Sequence, residues 1–326
     1  MSDAFIGTSI DIAATLLKKG EAVAIPTETV YGLAANALDT RAVAKIFSIK
    51  QRPTFDPLII HVADFDKVVD YVEEIPEIFK KLAAKYTPGP VTFLMKKKDI
   101  IPDIVTAGSP YVAIRIPNHP VTLELLKKVE FPLAAPSANP FGYISPTTAE
   151  HVADQLGSKV YYILDGGSCD VGVESTILAL DENGEVEVLR KGGLSIEAIE
   201  KETGTVTVRD TSVSNPEAPG MLTSHYAPRV PLVLGDIHTL SAASNSNRTG
   251  IIAFSNFLPG IPTKHQIVLS PSGNFTDAAR NLFAGMRYLD NCDIDVIFAE
   301  PVPESDLGIA INDRLRRAAH RDHPVT

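Results

Sequence analysis

Along the first two hundred residues, apolar positions gather into short runs separated by stretches that repeat every three or four residues. The runs EAVAIP (21–26), PLIIHV (57–62), PVTFLMKK (90–97), VAIRIP (112–117), VYYILD (160–165), STILAL (175–180) and EVEVLR (185–190) are bounded by Pro, Gly or polar clusters. They read as strands. Between them, residues 39–50 place Val43, Ile46, Phe47 and Lys50 at helical spacing behind a cap-competent Asp39 or Thr40; further helical patterns cover 64–86, 119–129, 146–156 and 195–202. STILALDENGEVEVLR folds back on itself around Asn183-Gly184, a hairpin signal, so the sheet should be mixed rather than wholly parallel.

Residues 210–231 lose all periodicity and are rich in Pro, Ser, Thr and Gly. They read as an interdomain linker, although Met221, His225 and Tyr226 in GMLTSHYAP suit a segment folded over something better than a solvated tether. Beyond it, PLVLGD, TGIIAFS, HQIVLS and DIDVIFAE alternate with the helical patterns TDAARNLFAGMRYLDN and DLGIAINDRLRRAAH. The expected layout is an α/β catalytic domain over 1–209 built on a twisted mixed sheet, a linker or lid over 210–231, and a smaller doubly wound, Rossmann-like domain over 232–326.

Length and composition sharpen this picture. A chain of 326 residues with 44% hydrophobic content can bury two cores. The formal net charge of −10 argues against stable direct binding of nucleic acid. Cys169 and Cys292 stand far apart without metal-ligand spacing, as suits a reducing cytoplasm. The N-terminus has no leader pattern, and no apolar run reaches membrane-spanning length, so a cytosolic protein without a membrane partner is expected.

Four segments carry candidate chemistry. In AIPTETVYG (24–32), an apolar run opens onto Thr27, Glu28 and Thr29, where α/β sheets present ligands. In IKQRPTFDPLIIHV (49–62), Lys50 and Arg52 precede a Pro-bracketed route into a strand ending on His61. Such cations either complement the helix dipole or grip phosphate oxygens. Arg115 interrupts the strand VAIRIP and needs solvent or an anion. In PLAAPSANPFGYISPTTAEHV (132–152), Ser137 and Asn139 lie between two prolines. Ser145 then reads as an N-cap with Pro146 at N1, and Thr147 with Glu150 offers a second capping register. A helix start there would supply free N–H groups to an anion. The P-loop, dinucleotide-binding, nucleophile-elbow and zinc-protease motifs are all missing.

Taken together, PTETVYGLAANA, KQRP with PLIIHV, TPGPVTFLM, VAIRIPNHP, APSANPFGYISPTT and VGVESTIL strongly resemble the YrdC-like threonylcarbamoyl-AMP synthase family. GMLTSHYAP and the ending AEPVPESDLGIAINDRLRRAA are similar to its long, two-domain form. The resemblance implies a nucleotidyltransferase that joins L-threonine, bicarbonate and ATP into L-threonylcarbamoyl-adenylate and pyrophosphate, for threonylcarbamoyl-adenosine in tRNA. It implies Lys50, Arg52, Ser137 and Asn139 as the catalytic signature. ATP would be held by these four with Asp56, Ser145, Arg190 and Tyr226, and threonine by Thr29, His61, Arg115, Ala135 and Ser175. Magnesium would accompany the nucleotide, without protein ligands that can be named. A downstream tRNA-modifying threonylcarbamoyltransferase would take the product. Asp56 departs from the family pattern, which has Asn there, and an acid would repel a triphosphate unless magnesium intervened. The other class left open is a noncatalytic RNA- or nucleotide-binding module.

Overall fold

The computed structural model describes residues 5–209, 219, 221, 225–242 and 244–320. Eleven strands over its first part are β1 (Phe5–Gly7), β2 (Val23–Ile25), β3 (Gly32–Asn36), β4 (Ile59–His61), β5 (Val91–Lys96), β6 (Tyr111–Arg115), β7 (Leu133–Ala134), β8 (Tyr162–Leu164), β9 (Thr176–Leu180), β10 (Val186–Arg190) and β11 (Thr207–Val208). They form one sheet in the order β1-β8-β2-β3-β7-β4-β6-β5-β9-β10-β11. Its pairings are mixed, with β4 parallel to β6 but β5 antiparallel to β6. The hairpin predicted at Asn183-Gly184 joins β9 to β10, with Gly184 at φ 82° in the left-handed region that a tight turn needs.

Helix formation follows the expected periodicity closely at most places. Thr40–Lys50 is capped by Asp39, whose carboxylate accepts from Arg41 N, and it buries Val43, Ile46, Phe47 and Lys50 on one face. Two helical readings need correction. The pattern over 64–86 is broken into a 3-10 turn (Phe65–Asp70) and a helix (Glu77–Tyr86), because Pro76 supplies no N–H and favours a helix start. The helix expected from Pro146 begins only at Ala149, capped by Thr148, whose hydroxyl accepts from His151 N. Ser145 is therefore not its N-cap; its hydroxyl has a different partner, described below.

The second sheet contains β12 (Leu232–Leu234), β13 (Thr249–Ala253), β14 (Gln266–Val268) and β15 (Val296–Ala299), all parallel, in the order β12-β15-β13-β14. Alternation along the strands buries both faces: Ile252 and Ile297 pack with the helices Phe275–Asp290 and Gly308–Ala319, while Ile251 and Phe298 pack with Ile237. This is the doubly wound arrangement that the strand pattern implied. The apolar cluster on the first of these faces also takes in Val30, Ile144 and Val173. The helices of the small sheet are thereby packed against loops of the large domain. Of the predicted linker, residues 210–218, 220 and 222–224 lie outside the described residues.

Candidate active site

Strand ends and turns of the large sheet place polar side chains around one cavity. Helix Thr40–Lys50 ends in a left-handed Gln51 at φ 53°, which turns the chain so that Arg52 enters the cavity wall. His61 and Arg115 stand side by side at the ends of β4 and β6, where they are register partners. The Pro-Ser-Ala-Asn-Pro segment continues the ladder beyond β7: Ser137 bridges Gly32, Leu33 N donates to Pro136 O at 2.7 Å, and Ala138 N donates to Tyr31 O at 2.8 Å. Arg190 closes the far side. The turn after it passes so near the Glu174-Ser175 backbone that a Cβ on Gly192 would lie 2.3 Å from Glu174 O, so only glycine fits there.

Seven of the residues expected from the sequence line the cavity: Arg52, His61, Arg115, Ala135, Ser137, Arg190 and Tyr226. Six others form a layer behind the wall. Lys50 Nζ donates to the backbone oxygens of Ser137 (2.5 Å) and Asn139 (2.6 Å), fastening the Ser-x-Asn turn rather than only complementing its helix. Asn139 Nδ2 donates to Pro140 O and Tyr143 O, both at 2.8 Å. Asp56 pairs with Arg52 at 2.9 Å. Thr29 Oγ1 accepts from Arg115 Nη1 at 2.8 Å. Ser175 Oγ lies 2.7 Å from Thr92 Oγ1 and accepts from Arg190 Nη2 at 3.0 Å. Ser145 Oγ donates to Glu174 Oε1 at 2.6 Å, the partner that takes it away from the helix start.

Two acids were missed by sequence reasoning. Glu28 pairs with Arg115 at 2.7 Å, and Glu174 lines the cavity itself. Both lie inside motifs already singled out, PTETVYG and VGVESTIL, where the neighbouring hydroxyls drew the attention. Buried carboxylates beside buried guanidiniums were the signal available, since each needs a counter-ion.

Electrostatics follow from burial. Desolvation, helped by the Arg52 charge, holds the Lys50 ammonium well below its ordinary pKa. Burial lowers Arg52 against the opposing pull of Asp56, and it raises Asp56 against the pull of Arg52 and Lys50. His61 is pushed down to about 3 by burial and by Arg115, so its imidazole is neutral at pH 7. Glu174 is the opposite case: burial would raise it, but Arg314, Arg190 and the Ser145 bond outweigh that and leave it at about 2.

The segment after the large domain covers this cavity. Pro219 O accepts from Arg190 Nη1 at 3.0 Å, and Met221 is buried against Ile59, Leu94, Ala113 and Leu189. His225 and Tyr226 line the cavity; the Tyr226 ring stacks on Phe283 of the small domain, at 5.4 Å between centroids. Tyr226 adopts φ 65°, strained for a bulky side chain and held by packing on every side. With the segment in place the free volume is about 50 Å³. Ligand pockets run to roughly 300–1,000 Å³, so this shape leaves no room for a nucleotide beside an amino acid.

Residues 15–192 match the family model described as telomere recombination, and residues 194–320 match the model for the C-terminal domain of threonylcarbamoyl-AMP synthase. The threonylcarbamoyl-AMP synthase of Pyrococcus abyssi is 40% identical over 325 residues, spanning 95% of this chain and 94% of that protein. The chain belongs to the threonylcarbamoyl-AMP synthase family. The Bacillus subtilis threonylcarbamoyl-AMP synthase is 39% identical over 319 residues, 94% of this chain and 92% of its own. The crystal structure of P. abyssi Sua5 complexed with L-threonine superposes with a TM-score of 0.89 at 38% identity, covering 98% of each chain. As a two-domain threonylcarbamoyl-AMP synthase, the chain is a nucleotidyltransferase and not a noncatalytic module.

Proposed function

We propose that the cavity brings ATP and a carbamate of L-threonine together between its walls, with Arg115 on threonine and Arg52 and Arg190 on the nucleotide. The threonine amine and bicarbonate give the carbamate with loss of water. Its oxygen then attacks the α-phosphorus, the bond to the bridging oxygen breaks, and pyrophosphate leaves. The reacting groups are anionic apart from the amine, so fixed positive charge is what the protein has to supply.

The single observation that carries this reading is the convergence of Arg52, Arg115, Arg190, His61 and Ser137 on one cavity from four separate segments. In the closed shape each cation is engaged by the protein's own oxygens: Arg52 by Asp56 and the carbonyl of Pro57, Arg115 by Glu28 and Thr29, Arg190 by Ser175 and Pro219. Such partners spare the buried cations an unpaired state before substrate arrives. Asp56 belongs to this set. As the buried counter-ion of Arg52, it sits behind the wall rather than against a triphosphate. Lys50, Asn139 and Ser145 then act by holding the Ser137 turn and the Glu174 wall in place, and Ser175 by steadying Arg190.

His61, neutral and buried, serves as a hydrogen-bond partner of threonine more readily than as a proton acceptor. No dedicated nucleophile is required; positioning and electrostatics suffice. Among the described residues no group of three or more His, Cys, Asp or Glu side chains could hold a metal ion, so magnesium is assigned to the nucleotide's own phosphate oxygens. Pro219, Met221, His225 and Tyr226 work as parts of a lid that opens for ATP and excludes water from the labile adenylate. The product passes to a threonylcarbamoyltransferase acting on tRNA in the cytosol; no described helix is long and apolar enough to cross a membrane.

The residue assignments are tested by splitting Michaelis constants. Arg115→Gln should raise KM for threonine with little change in KM for ATP, and Arg190→Gln should do the reverse. A parallel change in both constants for both variants would remove the assignment.

A further inference from the structure

Arg314, on the final helix of the small domain, is fully buried, and its side chain crosses to the other domain. Its Nε donates to Glu174 Oε2 at 2.8 Å, Glu174 Oε1 accepts from Ser145, and the guanidinium lies 5.1 Å from the centre of the Tyr226 ring. Nη1 pairs with Asp313 at 2.6 Å, while Nη2 has no hydrogen-bond partner among the described residues. Asp313 in turn holds Arg317 at 3.0 Å, whose backbone oxygen accepts from His225 N at 3.4 Å. One turn of this helix therefore reaches both the cavity wall and the lid.

Adhesion does not account for that placement. The interface already has an apolar core of Val30, Ile144 and Val173 against Leu282, Phe283 and Met286. A buried ion pair with an unmet N–H adds little to stability compared with apolar packing. An acid on the wall of a cavity for anions is a liability unless its charge is matched, and Arg314 is the cation bonded to Glu174. We infer that Arg314 is a positioning residue of the active site: it neutralises and orients Glu174 and seats the Tyr226 ring, so that docking of the C-terminal domain shapes the cavity wall. This rests on the reading of Pro219, Met221, His225 and Tyr226 as parts of a lid. It gives the small domain a part in the reaction without contact to substrate.

The experiment measures pyrophosphate release from ATP, with and without threonine, for the full-length wild type and for Arg314→Met, Arg314→Lys, Glu174→Gln and the double variant Glu174→Gln/Arg314→Met, alongside melting temperatures. Arg314→Met should lose on the order of 100-fold in kcat, as misplacement of the site by a change away from the chemistry can, with KM for threonine little changed. A larger share of its pyrophosphate should appear without threonine. Lysine should recover part of the loss. The double variant leaves no buried charge alone, so its melting temperature should return towards wild type while turnover stays low. Recovery of turnover together with stability in the double variant, or loss of stability alone in Arg314→Met, would make Arg314 a purely structural residue and overturn the inference. If Tyr226→Ala leaves kinetics untouched while Arg314→Met does not, the lid reading fails instead.

Discussion

The large mixed sheet and the small parallel sheet both bury charged and polar side chains, but they use them differently. In the large sheet, cations from distant segments meet at one cavity. In the small one, most buried polar groups serve their own neighbourhood: Asn312 bonds both the N–H and the carbonyl of Val302, and Gln266 clasps the loop at Leu258 and Ile261. Exceptions among the described residues include Arg287 and Arg314, which reach out of the small domain and end on the large one, Arg287 on the carbonyls of Ile144 and Ser145, and Asp290, whose carboxylate accepts from the Tyr143 hydroxyl. Two α/β units in one chain thus show that architecture alone does not locate chemistry. Convergence of unlike segments does.

The sharpest way to break this contrast is at the wall cations. Arg52→Gln or Arg190→Gln should each cost about a hundredfold or more in kcat/KM for pyrophosphate release, the effect of losing one preorganised donor to developing charge. Arg52→Gln also leaves Asp56 buried without its counter-ion and should lower the melting temperature. Adding Asp56→Asn should restore the melting temperature and leave turnover low. If turnover returned as well, Arg52 would belong with the scaffolding groups.

A smaller effect, about tenfold, is expected from opening the lid. Tyr226→Ala should weaken ATP binding or raise ATP consumption that yields no threonylcarbamoyl-adenylate, assayed well below the melting temperature. Identical kinetics on both counts would remove the lid from the account.

The pH dependence comes next. Burial pushes the His61 and His225 imidazoles down from the ordinary 6.5 to about 3 in the folded chain. Between those values the unfolded chain binds protons that the folded chain does not, so stability falls as pH is lowered from 6.5 towards 3. Replacing both by Gln should flatten the melting temperature across that window. A slope equal to wild type would mean the two imidazoles are not held neutral.

The smallest kinetic effect is expected from the small domain's own scaffolding. Asn312→Ala strands the N–H and carbonyl of Val302 and should cost about 1–3 kcal/mol of stability. Its kcat and both Michaelis constants should match wild type. A selective loss of turnover would blur the distinction between the two sheets.

Much of this contrast was readable before any coordinates, and the gaps have physical causes. β4, β5 and β6 were legible as apolar runs because both faces of these strands are buried, and the helix from Asp39 as a periodic pattern because only one of its faces is. Strands such as β3 (Gly32–Asn36) and β7 (Leu133–Ala134) escaped notice, being short and made of small residues whose pairing comes from neighbours. The start at Ala149 was missed since several hydroxyls compete to cap, and Ser145 is drawn to Glu174 across the fold. Residue type pointed to Arg52, Arg115 and Ser137, and the resemblance alone to Arg190. It could not separate wall from backing layer: whether Lys50 reaches the cavity or two carbonyls behind it depends on a contact 87 residues away. Arg314 lay further still from legibility, its partner being 140 residues distant.

The most direct measurement of the central claim is pyrophosphate release from ATP with threonine and bicarbonate each omitted in turn. A shared cavity in which the carbamate of threonine attacks the nucleotide predicts release that needs both. Release that continues at the full rate without threonine would contradict it.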